Sequence, residues 1–210
     1  MQNNSTFNIG VLVSGRGTNL QAIINAIERG SLDAHVALVI SNKENIHALE
    51  RCRKHGIDNL FLDPKNFNSK ETFESAIIEK FNEKLVNLVC LAGYMRILSK
   101  KFIGAFRGKI INIHPSLLPA FPGLSAQKQA LDYGVKLTGC TVHFVDEGVD
   151  SGAVIAQTAV PVLEGDNEET LSQRILEQEH ILYPQVIQWI IQNRVSLLGR
   201  NAIISPERNS

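Results

Sequence analysis

Residues 8–27 read NIGVLVSGRGTNLQAIINAI, and this stretch decides the fold class. The apolar run from Asn8 to Val13 is typical of a buried strand, and apolar residues from Leu20 to Ile27 then recur at helical spacing. The segment Ser14 to Asn19 between them contains two glycines and predicts a tight loop. Strand, loop and helix in this order form the first half of a βαβ unit, which indicates an α/β protein.

The same alternation continues along the chain. Leu85 to Ala92 is almost continuously apolar, as expected of a strand buried on both faces of a parallel sheet. The other predicted elements of this half are strands at Ala34 to Ile40, Ile57 to Leu62 and Lys109 to Ile113, and helices at Ile46 to His55 and Ser69 to Asn82.

The pattern changes after the fifth strand. Pro115, Pro119 and Pro122 punctuate a stiff loop, a helix is expected at Ala126 to Tyr133, and strands at Thr138 to Val145 and Ala153 to Val160 could pair antiparallel. We predict a single three-layer α/β domain over residues 1–210. Its parallel, Rossmann-like half spans about 7–113, and a mixed sheet continues into antiparallel strands at about 114–204.

The last helix carries an inward apolar stripe made by Leu171, Ile175, Leu182 and Val186. Asp166 and Glu169 have the spacing of a capping box at its start, and Pro184 predicts a kink or break inside it. Glu179 falls on the same stripe. An inward acid needs a partner, which could be a ligand amine or hydroxyl, or equally an arginine such as Arg16 or Arg96.

Composition narrows the function classes. The chain is 44% hydrophobic and 20% charged with a formal net charge of +0, so it is globular and has no global basic field for nucleic acid or a membrane surface. Met1 to Phe7 lack the features of a leader, which favours a cytoplasmic location. Cys52, Cys90 and Cys140 form no C-x-x-C pair, which argues against a disulfide framework or a zinc ribbon, and no metal is expected.

The glycine loop between strand and helix could hold an anion, because a helix N-terminus presents N–H groups and a positive dipole end. It is not a dinucleotide fingerprint, since Leu20 replaces the third glycine and the second strand is followed by Asn42 rather than an acid. The alternative is an ordinary strand–helix turn capped by Thr18 or Asn19.

Asn112 and His114 lie two residues apart at the carboxyl end of the fifth strand, so both project to one face. An amide donor beside an imidazole suits acyl chemistry, because the amide can stabilise an oxyanion and the imidazole can transfer a proton. A purely structural histidine before Pro115 is the alternative. The acidic loop Asp146 to Asp150 could supply a carboxylate to that histidine, although most acidic loops are solvated turns.

Together these segments resemble the phosphoribosylglycinamide formyltransferases, within the wider 10-formyltetrahydrofolate transferase and hydrolase superfamily. The resemblance covers nearly the whole chain. It is carried by SGxGTNL at residues 14–20, LAGYMRIL at 91–98, NIHPSLLP at 112–119, VHFV at 142–145 with Asp150, and QEH at 178–180.

The resemblance implies a role for each matched position. Asn112, His114 and Asp150 would be catalytic. Gly17, Thr18 and Asn19 would hold the phosphate of glycinamide ribonucleotide, and Glu179 would face its sugar. The co-substrate 10-formyltetrahydrofolate would be bound by Lys70, Met95, Arg96, Ile97, Leu98, Asn112, Val145, Asp146, Glu147, Gly148, Val149 and Asp150.

The implied reaction is attack of the ribonucleotide amine on the formyl carbon, with Asn112 and a protonated His114 stabilising the oxyanion, Asp150 supporting the imidazolium and a water moving protons. The halves would then be nucleotide-binding and folate-binding, the partners small molecules only, and the protein a monomer or homodimer. Many relatives read G-x-H-A-H where residues 123–127 are GLSAQ, and Ala153 replaces a common proline.

Two other functions remain open: hydrolysis of formyltetrahydrofolate, and a non-catalytic nucleotide-binding module. A hydrolase would normally carry an additional N-terminal domain and a tRNA formyltransferase a basic C-terminal domain, which 210 neutral residues do not accommodate. A binding module leaves the pairing of Asn112 with His114 unexplained.

Overall fold

The computed structural model describes residues 6–206, so the start of the chain, where no leader is expected, lies outside the described residues. The described residues divide into two compact units, with the boundary between residues 111 and 112. Within the described residues, seven strands form a mixed sheet and two more form a small antiparallel sheet. The predicted α/β fold class is confirmed.

The first unit contains alternating strands and helices in the order β1 (Asn8–Val13), α1 (Thr18–Glu28), β2 (His35–Ser41), α2 (His47–Lys54), β3 (Asn59–Phe61), α3 (Lys70–Glu83), β4 (Leu88–Leu91) and α4 (Lys100–Ala105). The strand order is β3-β2-β1-β4, and each neighbouring pair is parallel. Because parallel strands end at the same edge, the loops that follow β1, β2 and β4 lie at one edge of this unit.

Burial explains why these elements form. Leu12 and Val39 of the central strands are fully buried, as is the inward face of α1 at Ile23. On α3, Phe73, Ile77 and Phe81 form the buried face that their spacing predicted. A short 3₁₀ helix at Pro64–Asn66 and the helix α4 carry no strong apolar period, and the sequence did not predict them.

The second unit contains most of β5 (Ile110–His114), then α5 (Ala126–Tyr133), β6 (Leu137–Phe144), β7 (Val154–Pro161), α6 (Glu168–Ile191), β8 (Val195–Leu198) and β9 (Asn201–Ile204). Strand β6 lies between β5 and β7 in the sheet and pairs antiparallel with β7, as predicted. Helix α6 packs against β6 and β7, while β8 and β9 form a hairpin that the sequence did not predict.

The structure corrects the expected start of β4. The strand begins at Leu88, not Leu85, because the N–H groups of Leu85 and Val86 donate to carbonyls at the end of α3. Leu85 has a positive φ of 51° and is 75% exposed. These residues therefore terminate the helix, which hydropathy alone cannot distinguish from starting a strand.

For α6, the expected residues of the capping box are wrong, and the break that was one expectation at Pro184 does not occur. The capping box is made by Asn167 and Thr170, one residue later than predicted, because Asp166 instead forms a two-pronged ion pair with Arg174 at 2.7 and 2.9 Å. The helix also continues through Pro184 without a break. Burial of its stripe on both sides, at Leu182 and Val186, offsets the one missing hydrogen bond.

Candidate active site

The centre of the candidate site lies in the second unit, where several polar groups surround the Asp150 carboxylate. Its Oδ2 accepts a hydrogen bond from the backbone N–H of Gly123 at 2.8 Å and lies 3.3 Å from His114 Nδ1. Its Oδ1 accepts from Asn112 Nδ2 at 3.4 Å and lies 3.6 Å from His143 Nε2. The three residues expected to be catalytic are thus brought together around one carboxylate.

Strand geometry explains this convergence. Asn112 and His114 project from the same side of β5, which lies beside β6, and His143 sits at the carboxyl end of β6. Asp150 comes from the loop between β6 and β7, where it has a positive φ of 49°. A left-handed conformation is costly for a non-glycine residue, so surrounding contacts must hold the carboxylate in place.

His143 is a residue of this cluster that sequence reasoning did not assign. Its side chain is 2% exposed and its Nδ1 donates to the carbonyl of Phe144 at 2.8 Å. In the neutral ring Nε2 is then an acceptor, and it receives the Asn112 amide at 3.3 Å. In the sequence, the signal for His143 was its position at the end of a predicted buried strand. Only the strand order shows that this strand lies beside the one that carries Asn112.

Asn112 therefore donates both amide hydrogens within the cluster, one to His143 and one to Asp150, at 3.3 and 3.4 Å. Both hydrogen bonds are longer than the usual 2.9 to 3.0 Å. A substrate oxygen at this position would compete for one of these hydrogens at little cost. The geometry is compatible with the oxyanion role that the sequence suggested.

The two nitrogens of His114 face different acceptors. Nε2 donates to the Phe121 carbonyl at 2.9 Å, since a carbonyl can only accept, and Nδ1 faces Asp150. This arrangement gives both nitrogens an acceptor when the ring is charged. Burial nevertheless holds the pKa of His114 below its ordinary value of 6.5, against the raising effects of the Phe121 carbonyl and the Asp150 charge.

For Asp150, burial and the neighbouring groups also act in opposite directions on the pKa, but here the neighbouring groups prevail. Burial would raise the pKa of its carboxyl, but the His143 imidazole, the Gly123 N–H and the charge of His114 outweigh burial and keep the pKa below 3.8. The group is therefore ionised at neutral pH. The lowered pKa of His114 means that the protonated imidazole expected from the sequence is not the dominant form of the unliganded protein near pH 7.

The loop carrying Asp150 is itself organised by hydrogen bonds. Asp146 Oδ1 accepts from the Gly148 N–H at 3.1 Å and from the Ser151 hydroxyl at 2.6 Å. Arg200, at the tip of the β8–β9 hairpin, donates to the Ser151 carbonyl at 3.0 Å. An open cleft of about 490 Å³ borders this loop, with Pro119, Pro122 and Val149 among its lining residues.

In the first unit, the predicted anion loop differs from expectation at its cap. Helix α1 begins at Thr18, its N-cap is Gly17 with φ 68°, and no side chain caps it. The expected Thr18 or Asn19 cap is wrong. Helix α2 instead holds the loop by two hydrogen bonds. Ala48 N donates to the Gly15 carbonyl at 3.3 Å, and Arg51 Nε donates to the Arg16 carbonyl at 3.0 Å.

The residues expected to bind folate fall in both units. In the first, Lys70 begins α3, Met95 and Ile97 are each 63% exposed, and Arg96 lies over the Phe73 ring at 5.3 Å. Leu98, by contrast, is buried. In the second, Val145 is half-buried and follows β6, and Asp146, Glu147, Gly148 and Val149 are exposed in the loop.

Glu179 lies in the second unit on the buried stripe of α6 and is only 4% exposed. Burial, together with the nearby negative charge of Glu179, raises the pKa of the Cys140 thiol on β6 to about 12. The inward position predicted from the spacing is confirmed.

Comparison with known proteins also points to formyl transfer. The model of the formyl transferase family matches residues 7–187, which defines the class to which this fold and cluster belong. Phosphoribosylglycinamide formyltransferase of Escherichia coli is 42% identical over 96% of this chain and 95% of its own length. The crystal structure of glycinamide ribonucleotide transformylase 1 from Symbiobacterium toebii has a TM-score of 0.94 at 50% identity, covering 96% of this chain and 95% of that one.

A further relative is larger. The trifunctional purine biosynthetic protein adenosine-3 of Drosophila melanogaster is 46% identical over 96% of this chain, and this chain spans only 15% of the length of that protein.

The chain belongs to the phosphoribosylglycinamide formyltransferase family. The resemblance seen in its motifs is confirmed.

Proposed function

We propose that this protein transfers the formyl group of 10-formyltetrahydrofolate to the amine of glycinamide ribonucleotide, giving formylglycinamide ribonucleotide and tetrahydrofolate in de novo purine biosynthesis. The observation that carries the proposal is the convergence of Asn112, His114 and His143 on the Asp150 carboxylate. An amide can stabilise the oxyanion of acyl transfer to an amine, and imidazoles beside an ionised acid can transfer its protons. Family membership supports the choice of substrates.

In the proposed reaction the substrate amine attacks the formyl carbon, a new N–C bond forms, and the carbonyl oxygen becomes an oxyanion. Asn112 donates to this oxygen by releasing one of its long hydrogen bonds. The Phe121 carbonyl accepts the Nε2 proton of His114 in the unliganded protein and so stands in for the oxyanion. Displacing that carbonyl frees Nε2–H for the substrate.

Collapse of the intermediate breaks the bond between the formyl carbon and the folate nitrogen. That nitrogen gains a proton and the attacking amine loses one, so the reaction balances without another reactant. Asp150 stabilises positive charge on His114 while a bound water relays protons. Burial lowers the pKa of His114, and negative charge that develops on the formyl oxygen would favour the charged imidazole again.

We assign the phosphate of the ribonucleotide to Gly17, Thr18 and Asn19. No side chain caps α1, and the positive end of its dipole favours an anion at this position. We assign Glu179 to the sugar. We keep the proposed halves, about residues 7–113 for the nucleotide and about 114–204 for the folate and catalysis. Each half also contributes residues to the other substrate: Glu179 to the ribonucleotide, and Lys70, Met95–Leu98 and Asn112 to the folate.

We assign the folate to Lys70, to Met95–Leu98, and to Val145–Asp150 with Asn112. Each segment has exposed large apolar side chains, Met95 and Ile97 in the first and Val149 in the second, which suit contact with an apolar ligand. Lys70 would meet a carboxylate at the outer end of the folate. The exposed backbone of the Asp146 loop offers hydrogen-bonding groups to the pterin.

We further propose a cytoplasmic protein that acts as a monomer or homodimer on small molecules. Cys52 and Cys140 are buried free thiols, which fits a reducing compartment. Burial raises the pKa of Cys52 to about 11, so its thiol stays protonated and unreactive. Among the described residues, no helix is long and apolar enough to cross a membrane.

The test is a direct assay. Purified protein is mixed with both substrates, and formation of tetrahydrofolate is followed with and without the ribonucleotide. Product only with both substrates, abolished by His114→Ala, is the expected result. Product without the ribonucleotide identifies a hydrolase, and ribonucleotide binding without product identifies a binding module, so either outcome overturns the proposal.

A further inference from the structure

Ser14 connects two segments at one edge of the first unit. Its side chain is at the carboxyl end of β1, and the residue is 4% exposed. The Ser14 hydroxyl donates to Asn42 Oδ1 at 2.6 Å and accepts from the Met95 N–H at 2.9 Å. Its backbone N–H donates to the Gly93 carbonyl at 3.1 Å.

Asn42 determines which way the Ser14 hydroxyl donates its hydrogen bond. It follows β2, at the place where a dinucleotide-binding protein would carry an acid for a ribose hydroxyl. Here its side-chain oxygen takes the single hydroxyl proton of Ser14 instead. The lone pairs of Ser14 Oγ are thereby left for the Met95 N–H, because a hydroxyl has one donor and two acceptor sites.

The hydrogen bond between Ser14 and Met95 joins two segments that are assigned to different substrates. Strands β1 and β4 are parallel neighbours in register from Ile9 with Leu88 to Leu12 with Leu91, so the segments that follow them leave the same edge. Ser14 is the first residue of the anion loop, and Met95 begins the segment Met95–Leu98. One buried side chain therefore links the two segments, in addition to the backbone hydrogen bond between Ser14 and Gly93.

We propose that Ser14 is a positioning residue that couples the two substrate subsites, holding the phosphate loop and the Met95–Leu98 segment in the relation that transfer requires. The inference rests on the proposed function, which gives one segment to the ribonucleotide and the other to the folate. Small errors in the relative placement of two reactants are costly, since orientation supplies a large share of such a rate enhancement.

The substitution Ser14→Ala tests this coupling, and Ser41→Ala is its matched control. Ser41 ends the neighbouring strand β2, is fully buried, and also makes one donor and one acceptor hydrogen bond, but both go to Lys43 at 2.6 and 2.9 Å. Ser14→Ala is expected to raise KM for both substrates by about tenfold, the equivalent of one buried hydrogen bond, and to lower kcat. Ser41→Ala should leave both KM values within about twofold of the original protein.

A second measurement does not depend on activity. Amide hydrogen exchange of residues 93–98 should accelerate in Ser14→Ala and remain unchanged in Ser41→Ala, because only the first removes the acceptor of the Met95 N–H. Asn42→Ala should give a smaller effect in the same direction. The double variant should be no worse than Ser14→Ala alone, since the two side chains act as one unit.

The inference fails if the unsubstituted protein transfers formyl groups and Ser14→Ala behaves like Ser41→Ala, or if only one KM rises. Absence of transfer by the unsubstituted protein would instead refute the proposed function. In that case unchanged exchange at residues 93–98 in Ser14→Ala would separately refute the contact's structural role.

Discussion

His114 Nδ1 lies 3.3 Å from Asp150 Oδ2, and the Gly123 N–H donates to the same oxygen at 2.8 Å. The backbone donor fixes the carboxylate on the side that faces the imidazole. Positive charge on His114 would therefore be compensated without movement of either side chain. This preorganisation is what electrostatic catalysis requires of a buried pair.

Asp150→Asn should preserve folding and lower kcat by about 10²- to 10⁴-fold, because the amide keeps the shape of the carboxyl but cannot compensate an imidazolium. Steady-state transfer kinetics and circular dichroism would measure the two effects. Asp132→Asn is a suitable control, since Asp132 is an exposed acid paired with Lys128 on α5. An unaltered kcat in Asp150→Asn would remove this carboxyl from the mechanism.

The lowered pKa of His114 predicts a pH dependence of stability. Below the ordinary value of 6.5 the unfolded chain binds a proton at His114 that burial makes the folded protein resist. The free energy of unfolding should therefore fall as pH falls from 6.5 towards the lowered folded-state pKa. Below both values this loss is complete.

Urea unfolding of the original protein and His114→Gln over a pH series would isolate this contribution. Asp150 and His143 remain in both proteins, so the difference between the two curves reports mainly on His114. The variant should show a flatter dependence just below pH 6.5. Parallel curves would mean that the folded protein does not depress the pKa of this histidine.

Gly17→Ala should destabilise the protein by about 1–3 kcal/mol, because a side chain there meets two obstacles. The residue has a φ of 68°, and an added Cβ would lie 2.6 Å from Ala48 Cβ. Gly15→Ala is the matched comparison, since an added Cβ at Gly15 meets nothing within 4 Å. Thermal unfolding of the two variants should separate them by several degrees, and equal stability would contradict the close approach of α2 to this loop.

Glu179→Gln should raise KM for the ribonucleotide by about tenfold or more and leave KM for the folate unchanged, because the buried carboxylate is assigned to the sugar. Steady-state kinetics with each substrate varied in turn would measure both. Glu177→Gln, on the exposed face of the same helix, serves as the control. A KM for the ribonucleotide that does not change would make Glu179 a structural acid.

Periodicity and spacing determined the architecture and much of the candidate site. The alternation of apolar segments predicted β1 to β7, and the two-residue spacing of Asn112 and His114 placed both on one side of a strand. These features are local, so a single sequence contains them. The apolar stripe of α6 likewise predicted that Glu179 lies inside the protein, where it is 4% exposed.

Element boundaries and partners depended on tertiary contacts. Leu85 looks like strand until its N–H is seen to bond back to α3, and Asp166 looks like a cap until Arg174 competes for it. The role of His143 required the order of the strands, because β5 and β6 are separated in sequence but adjacent in the sheet.

The sequence by itself determined which side chains lie at the carboxyl ends of strands, since that follows from local hydrogen bonding and hydropathy. Only the tertiary structure decided which of them meet and in which ionisation state. Distances such as that from His143 to Asp150, and the burial that depresses the pKa of His114, arise from segments far apart in the chain. Long-range packing sets the local dielectric and the acceptor at each nitrogen, and no local pattern encodes either.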